Sequence, residues 1–394
     1  MEQSKKVYDF DEVVNRRNNN SDKWTAYSKE ILPMWIADMD FQSADEIVDG
    51  LVSLSQKGIF GYGKARPDRL LEAIVYRLQR LYGWTIPKES IVMLPSLVTG
   101  FNVAANLVKK RNDHASYLFH TPAYPPFFAV EKNIGTKGIG VPLREITTGN
   151  KLSYEIDFEA MESMITADTE ILMLCNPQNP SGRVLTKAEL LAVEKFSVKH
   201  DLIVLADEIH AELNWEADHI PYASLTPAAK KHTITLISAS KTFNLPALSG
   251  GFAIIENAEL RQEYEAAMMG FVPRMNVFAI KGAELAFDYG DEWLSQLKPY
   301  LIANRDYLVT ALSEIDGLKM TVPEATFLLW LDFSGTTHGE QAHKALLNAG
   351  LALNDGKTFG VSGNYVRLNF GTSRALVEKA VKIIRESLVN FTDN

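Results

Sequence analysis

The chain has 394 residues, 46% of them hydrophobic, enough for one large core or two smaller ones, and the usual spread of domain sizes favours two. Its formal net charge of −9 and pI near 5.5 leave no surplus of Lys and Arg for a nucleic-acid or anionic-membrane surface, so the expected partner is a small molecule. The start MEQSKKVYDFDEVV has no apolar signal core, no apolar run approaches the roughly 20 residues that span a bilayer, and the single cysteine, Cys175, excludes an internal disulfide; a cytoplasmic home is expected, with no membrane contact.

In chain order, short apolar runs alternate with helical patterns. The expected strands are SYLF (116–119), EILMLC (170–175), LIVLAD (202–207), TITLIS (233–238) and FAII (252–255). None alternates with polar residues, which predicts a mainly parallel sheet covered by helices on both faces. Between the second and third runs, TKAELLAVEKFSVKHD carries a capping-box pattern at Thr186 and Glu189 and apolar residues at helical spacing, a crossover helix. Beyond residue 285 the pattern changes to a long helix (292–314), then KMTVPEATFLLWLDF, YVRLNF and a terminal helix over 373–388. The expected division is an N-terminal arm joined to the small domain (1–45), a large three-layer αβα domain (46–285) and a smaller α/β domain (286–394).

Ligands of open α/β sheets bind beyond the carboxyl ends of the strands. After the first four runs come HTPAYPPFF, NPQNPSG, DEIH and SASK, which would gather an aromatic ring, an amide, a carboxylate, hydroxyls and a lysine at one sheet edge. Singly each has a plainer explanation, a strand-end Asp being often a helix cap. Together they match what an aldehyde cofactor such as pyridoxal phosphate needs: an amine to condense with, an anion beside the ring nitrogen, a flat partner for the ring and donors for the phosphate. The helix opened by PSLVTG offers the amides of Leu97 and Val98 to a phosphate, with the hydroxyls of Ser238 and Ser240 beside them. The eight histidines show no pair at metal-ligand spacing with nearby cysteines, and no metal is expected.

The order NPxNPxG, DEIH, SxSK resembles the fold-type I pyridoxal-phosphate enzymes of the class I/II aminotransferase superfamily, over nearly the whole chain. WIADMDF (35–41), GYG (61–63), TPAYPPF and SASKTFNLPAL are similar to its cystathionine β-lyase or cysteine-S-conjugate β-lyase branch. The resemblance implies a carbon-sulfur lyase that releases a thiol, pyruvate and ammonia from cystathionine or related conjugates; the alternative is an aminotransferase. It implies Lys241 as the amine that holds the cofactor and then works at the substrate Cα, Asp207 at the pyridine nitrogen, Asn179 at the phenolic oxygen, Tyr124 against the ring, and Arg367 at the substrate carboxylate. It further implies a homodimer with shared sites, in which Tyr62 reaches the phosphate of the other subunit.

Some positions depart from the superfamily pattern or stay open. Ser249 stands where many aminotransferases have a phosphate-gripping arginine. His210 replaces a tyrosine and either titrates or packs, with packing favoured. Asp38 either lines the substrate pocket beside Ala37 or serves as a turn or salt-bridge residue. Cys175, in a buried strand, is expected to be inert, Asn176 and Pro177 to shape their loop, and Arg374 to lie at the surface.

Overall fold

The computed structural model describes residues 6–390. The runs read as buried strands do form the central sheet. In chain order its strands are β1 (Ile91–Leu94), β2 (Ser116–Thr121), β3 (Lys137–Pro142), β4 (Thr169–Cys175), β5 (Ile203–Asp207), β6 (Thr233–Ile237) and β7 (Gly251–Ile254), arranged β1-β7-β6-β5-β4-β2-β3. All run parallel except β7, which pairs antiparallel with both neighbours. Apolar clusters cover both faces of this sheet, one around Leu94, Phe101 and Tyr117 and the other around Leu172, Leu190 and Phe196, which is why no strand alternates. The crossover helix Lys187–Lys199 starts with the full capping box: Thr186 Oγ accepts from Glu189 N, and the Glu189 carboxylate accepts from Thr186 N.

A second, six-stranded sheet joins Asn354–Asp355, Tyr365–Asn369, Leu328–Asp332 and Lys319–Thr321 to the hairpin Arg144–Thr148 and Lys151–Glu155. The hairpin comes from the middle of the stretch assigned to the large domain, so sheet membership does not follow chain position there. The reason is local: Leu152 and Tyr154 are buried, and Lys151 and Leu152 pair with Met320 and Thr321. Leu32–Pro33, in the N-terminal arm, pairs parallel with Leu351–Ala352. The long helices span Asp291–Ser313 and Arg374–Asn390, within two residues of the sequence expectation.

Candidate active site

A cleft of about 350 Å³ opens over the carboxyl ends of the parallel strands, where the two sheets meet. Chain connectivity explains its walls. Each parallel strand ends on a residue or loop that cannot continue the ladder, and these ends supply the chemistry. Tyr124 precedes the helix Pro125–Ile134 beyond β2, Asn179 lies in the loop beyond β4, Asp207 closes β5, and Lys241 sits in the short helix Ala239–Thr242 beyond β6. All four line the cleft, together with Leu97, Val98, His210, Ser240 and Arg367.

The loop after β4 is held by its own side chains. Asn176 Oδ1 accepts from Leu185 N at 2.9 Å, and Gln178 Oε1 accepts from Ser181 N at 2.9 Å. Gly182 closes it at φ +73°, where a Cβ would lie 2.3 Å from Pro323 Cβ, so only glycine fits. This scaffold aims Asn179 at Arg367: Asn179 Oδ1 accepts from Arg367 Nη1 at 2.9 Å. With its carbonyl occupied, the amide presents its NH₂ donors to the cleft.

Asp207 and Arg367 are buried and Lys241 and Tyr124 half-buried, none of them with a counter-ion at bonding distance. Burial pushes the Asp207 carboxyl up to about 7 against a weak bond from Ile209 N at 3.3 Å. Burial, then Arg367, bring the Lys241 ammonium down to about 8, although Asp38 and Asp207 oppose the shift. Its Nζ donates to the carbonyl of Ala37 at 2.6 Å. Arg367 is brought down to about 10 by burial and has only neutral acceptors, Asn179 Oδ1, Trp35 O at 3.0 Å and Asn354 Oδ1 at 2.8 Å. Its Nε is buried with no partner, so a carboxylate is the complement this guanidinium lacks. Burial raises the Tyr124 phenol, and Asp207 adds to the rise.

At the other end, Ser96 caps the helix Leu97–Arg111 by accepting from Thr99 N at 3.1 Å. Leu97 and Val98 occupy its first turn, where backbone N–H groups have no acceptor inside the helix. Ser249 also faces this end, at φ +62° and ψ −172°, a backbone region that side chains avoid. No cation other than Lys241 and Arg367 is among the cleft-lining residues, so this end offers hydroxyls and amides only.

Two sequence expectations, for Asp38 and Ser238, are corrected by these placements. Asp38 does not line the cleft: its carboxylate pairs with Arg16 at 2.7 Å and with Lys23 at 3.5 Å, the salt-bridge alternative. The Ser238 hydroxyl is a helix cap, accepting from Ser240 N at 3.0 Å and donating to Gly250 O at 2.7 Å; of the two serines only Ser240 faces the cleft. Tyr62 is not brought to the cleft of its own chain but is 95% exposed beside Ile59 and Phe60, themselves exposed. His210 packs its ring edge-on to Phe327 at 6.2 Å while lining the cleft, and burial, with Lys241 and Arg367 nearby, brings it down to about 3, so it is neutral. Cys175 adjoins the cleft with its thiol raised by burial and donating to Pro177 O, and no cluster of metal-ligating side chains occurs among the described residues. The sequence reading missed Trp35, Asn354 and Phe359, which line the substrate side. Only WIADMDF hinted at the first.

The family model for aminotransferase class I and II matches residues 30–384. The chain belongs to this family. Among the members, cystathionine beta-lyase PatB of Bacillus subtilis is 32% identical over 96% of this chain and 99% of its own. The crystal structure of OvoB superposes with a TM-score of 0.91 at 38% identity, covering 97% of this chain and 99% of that one. A PLP-bound C-S lyase from Staphylococcus hominis gives 0.88 at 28% identity, covering 97% and 98%.

Proposed function

We propose that the protein is a pyridoxal-phosphate-dependent carbon-sulfur β-lyase acting on cystathionine or related cysteine S-conjugates. The observation that carries the proposal is the set of unneutralised groups that two sheets bring to one cleft, an amine, a carboxylate and a guanidinium, each lacking the partner that this cofactor and an amino acid would provide. The names of PatB and of the Staphylococcus enzyme support the lyase reading over transamination.

The residues fit the cofactor. Lys241 would hold its aldehyde carbon, Asp207 its ring nitrogen, Asn179 its phenolic oxygen and Tyr124 its ring face, while the amides of Leu97 and Val98 and the Ser240 hydroxyl would receive the phosphate. When bound, the cofactor supplies an electron sink for the substrate Cα, strongest with its ring nitrogen protonated. Arg367 then orients the substrate by its carboxylate through the free Nε. Lys241 Nζ, freed when the substrate's own amine takes its place on the aldehyde carbon and with its pKa lowered to about 8 by burial, would then take the proton from Cα. Sulfur leaves Cβ with the electron pair of the C–S bond, and with one water consumed the products are the thiol, pyruvate and ammonium. Asp207, as a carboxylate beside the ring nitrogen, would favour the protonated form of that nitrogen.

We also propose a homodimer with shared sites. Ile59, Phe60, Tyr62, Met269 and Phe271 are exposed, large apolar side chains that a second copy would cover, and Tyr62 would reach the phosphate of that copy. The arm 1–45 would then belong with the small domain, 286–394, against the large one. Incubation of the purified holoenzyme with cystathionine, without keto acid, tests the activity. Pyruvate and a thiol are expected; product formed only after a keto acid is added would overturn the lyase in favour of an aminotransferase.

A further inference from the structure

The segment Trp35 to Phe41 forms no regular strand, yet side chains collect nearly all of its carbonyls. Trp35 O accepts from Arg367 Nη2 at 3.0 Å, and Ala37 O from Lys241 Nζ at 2.6 Å. The amide of Asn369 donates to Ile36 O and to Asp38 O, the two carbonyls flanking Ala37. The amide of Asn244 donates to Met39 O at 3.0 Å and to Phe41 O at 2.8 Å, while its Oδ1 accepts from Met39 N at 2.9 Å. Each functional side chain thus has an asparagine close by in sequence that grips the same segment. Asn244 lies three residues after Lys241, at φ +55°, and Asn369 lies two residues after Arg367 on the same strand, hence on the same face.

We propose that Asn244 and Asn369 are positioning residues that make segment 35–41 a common template, holding the Lys241 amine and the Arg367 guanidinium on carbonyls two residues apart. The inference rests on the roles given above to Lys241 and Arg367. A substrate gripped by its carboxylate at Arg367 has its Cα one bond away, so the separation of the two cations decides whether that Cα meets the amine; small displacements there are costly in rate. Neither asparagine touches the reacting atoms. Both act through backbone: Asn244 lies within SASKTFNLPAL and Asn369 within YVRLNF, but neither residue type announces a chemical role there.

The test uses the cofactor-free full chain and competitive acetylation, read by mass spectrometry at Lys241 against the exposed Lys57 and Lys137. In the wild type the half-buried Lys241, hydrogen-bonded to Ala37 O, should label more slowly than these exposed lysines. Asn244→Gly keeps the left-handed backbone and removes the three bonds; Asn369→Ala removes the two around Ala37. Each should free the amine and raise its labelling several-fold. Ser43→Ala is the structural control, since Ser43 Oγ ties the same regions by donating to Phe243 O at 3.1 Å without touching a carbonyl of residues 35–41; it should leave the labelling unchanged. In the holoenzyme, Asn244→Gly should lower kcat more than it changes KM, and Asn369→Ala should raise KM. Lower melting temperatures with wild-type labelling of Lys241 in both asparagine variants would overturn the proposal. If the glycine variant does not fold, Asn244→Asp, which keeps the bond from Met39 N and loses both donors, takes its place. Failure of the underlying roles is read separately, as borohydride fixing the cofactor on a lysine other than Lys241 in the wild type.

Discussion

Two groups of buried charges lie on opposite sides of segment 35–41, and they are built differently. On one side, Lys23, only 1% exposed, pairs with Asp40 at 2.9 Å, and Arg16 pairs with Asp38 and Asp40, both at 2.7 Å. Trp24 Nε1 adds a bond to Asp40 at 2.8 Å. Burial works against the Asp40 carboxylate, but Lys23, Trp24 and Arg16 outweigh it and hold its pKa below the usual range. On the other side, in the cleft, Asp207 is pushed up to about 7 and Lys241 down to about 8, each by burial first. Burial alone therefore does not mark a functional site. Where every charge is paired, burial makes a structural hub; where charges stay unpaired, the fold has left them for a ligand.

The sharpest break of this comparison is Lys241→Ala. Turnover should fall to background, and the purified variant should lose the visible absorbance band that borohydride otherwise fixes on this residue. Near wild-type turnover in Lys241→Ala would remove the lysine from the reaction.

Asp207→Asn comes next, because it should move activity and stability in opposite directions. Elimination should slow by orders of magnitude, each tenfold being about 1.4 kcal/mol of barrier, and the cofactor should bind more weakly. The cofactor-free protein should instead gain stability at pH 8, on the order of 2 to 4 kcal/mol, since the variant no longer buries an ionised carboxylate. The sign follows from the shift. With its folded pKa raised to about 7, Asp207 favours the folded state below the ordinary carboxylate range, and that contribution is lost as pH rises through about 7. Lys241, depressed to about 8, contributes stability above its ordinary range that is lost as pH falls through about 8. The cofactor-free wild type should therefore dip in stability between pH 7 and 8, and Asp207→Asn should flatten the acidic side of the dip. Thermal melts across pH, without cofactor, would show both effects.

The same substitution in the hub should do the reverse. Asp40→Asn removes one partner from a buried, fully paired set, which typically costs about 3 to 5 kcal/mol because Lys23 and Arg16 keep two charges with only Asp38 left to compensate them. A fall in melting temperature independent of cofactor loading is expected. A stabilised Asp40→Asn would mean that the hub, like the cleft, waits for a ligand.

The cleft was more legible in sequence than the hub, for a physical reason. Its side chains sit at the ends of strands buried on both faces, and such strands read as continuous apolar runs, so the residue after each run could be placed without knowing the fold. Lys241, Asp207, Asn179 and Tyr124 all come from such ends. The hub draws Arg16, Lys23, Asp38 and Asp40 from irregular chain, where no period tells which way a side chain turns, and this is why Asp38 was a pocket candidate. Strand β3, KGIGVP, was missed because its two glycines and exposed edge position break the apolar signal. The hairpin 144–155 pairs across a long stretch of chain with Lys319–Thr321, a contact that local pattern does not encode. The role of segment 35–41 lies in its carbonyls, which every residue has.

The smallest expected effect tests the end of the cleft where the chain supplies no cation. With Ser249 in place of an arginine, neutral hydroxyls and amides must hold the phosphate, and Tyr62, exposed in its own chain, would add a hydroxyl across the dimer. Tyr62→Phe keeps the ring that would pack in the interface and removes one hydrogen bond, worth about 0.5 to 1.5 kcal/mol between neutral groups and somewhat more toward a charged phosphate. Cofactor affinity should weaken several-fold to tenfold while sedimentation still shows a dimer at high concentration. Because a ligand bridging two subunits stabilises their association by mass action, cofactor removal should loosen the wild-type dimer, and should do so less in Tyr62→Phe, where the bridge is already weakened. An active, cofactor-saturated monomer would rule out the shared site, and an unchanged cofactor affinity in Tyr62→Phe would leave the phosphate to the helix amides and Ser240 alone.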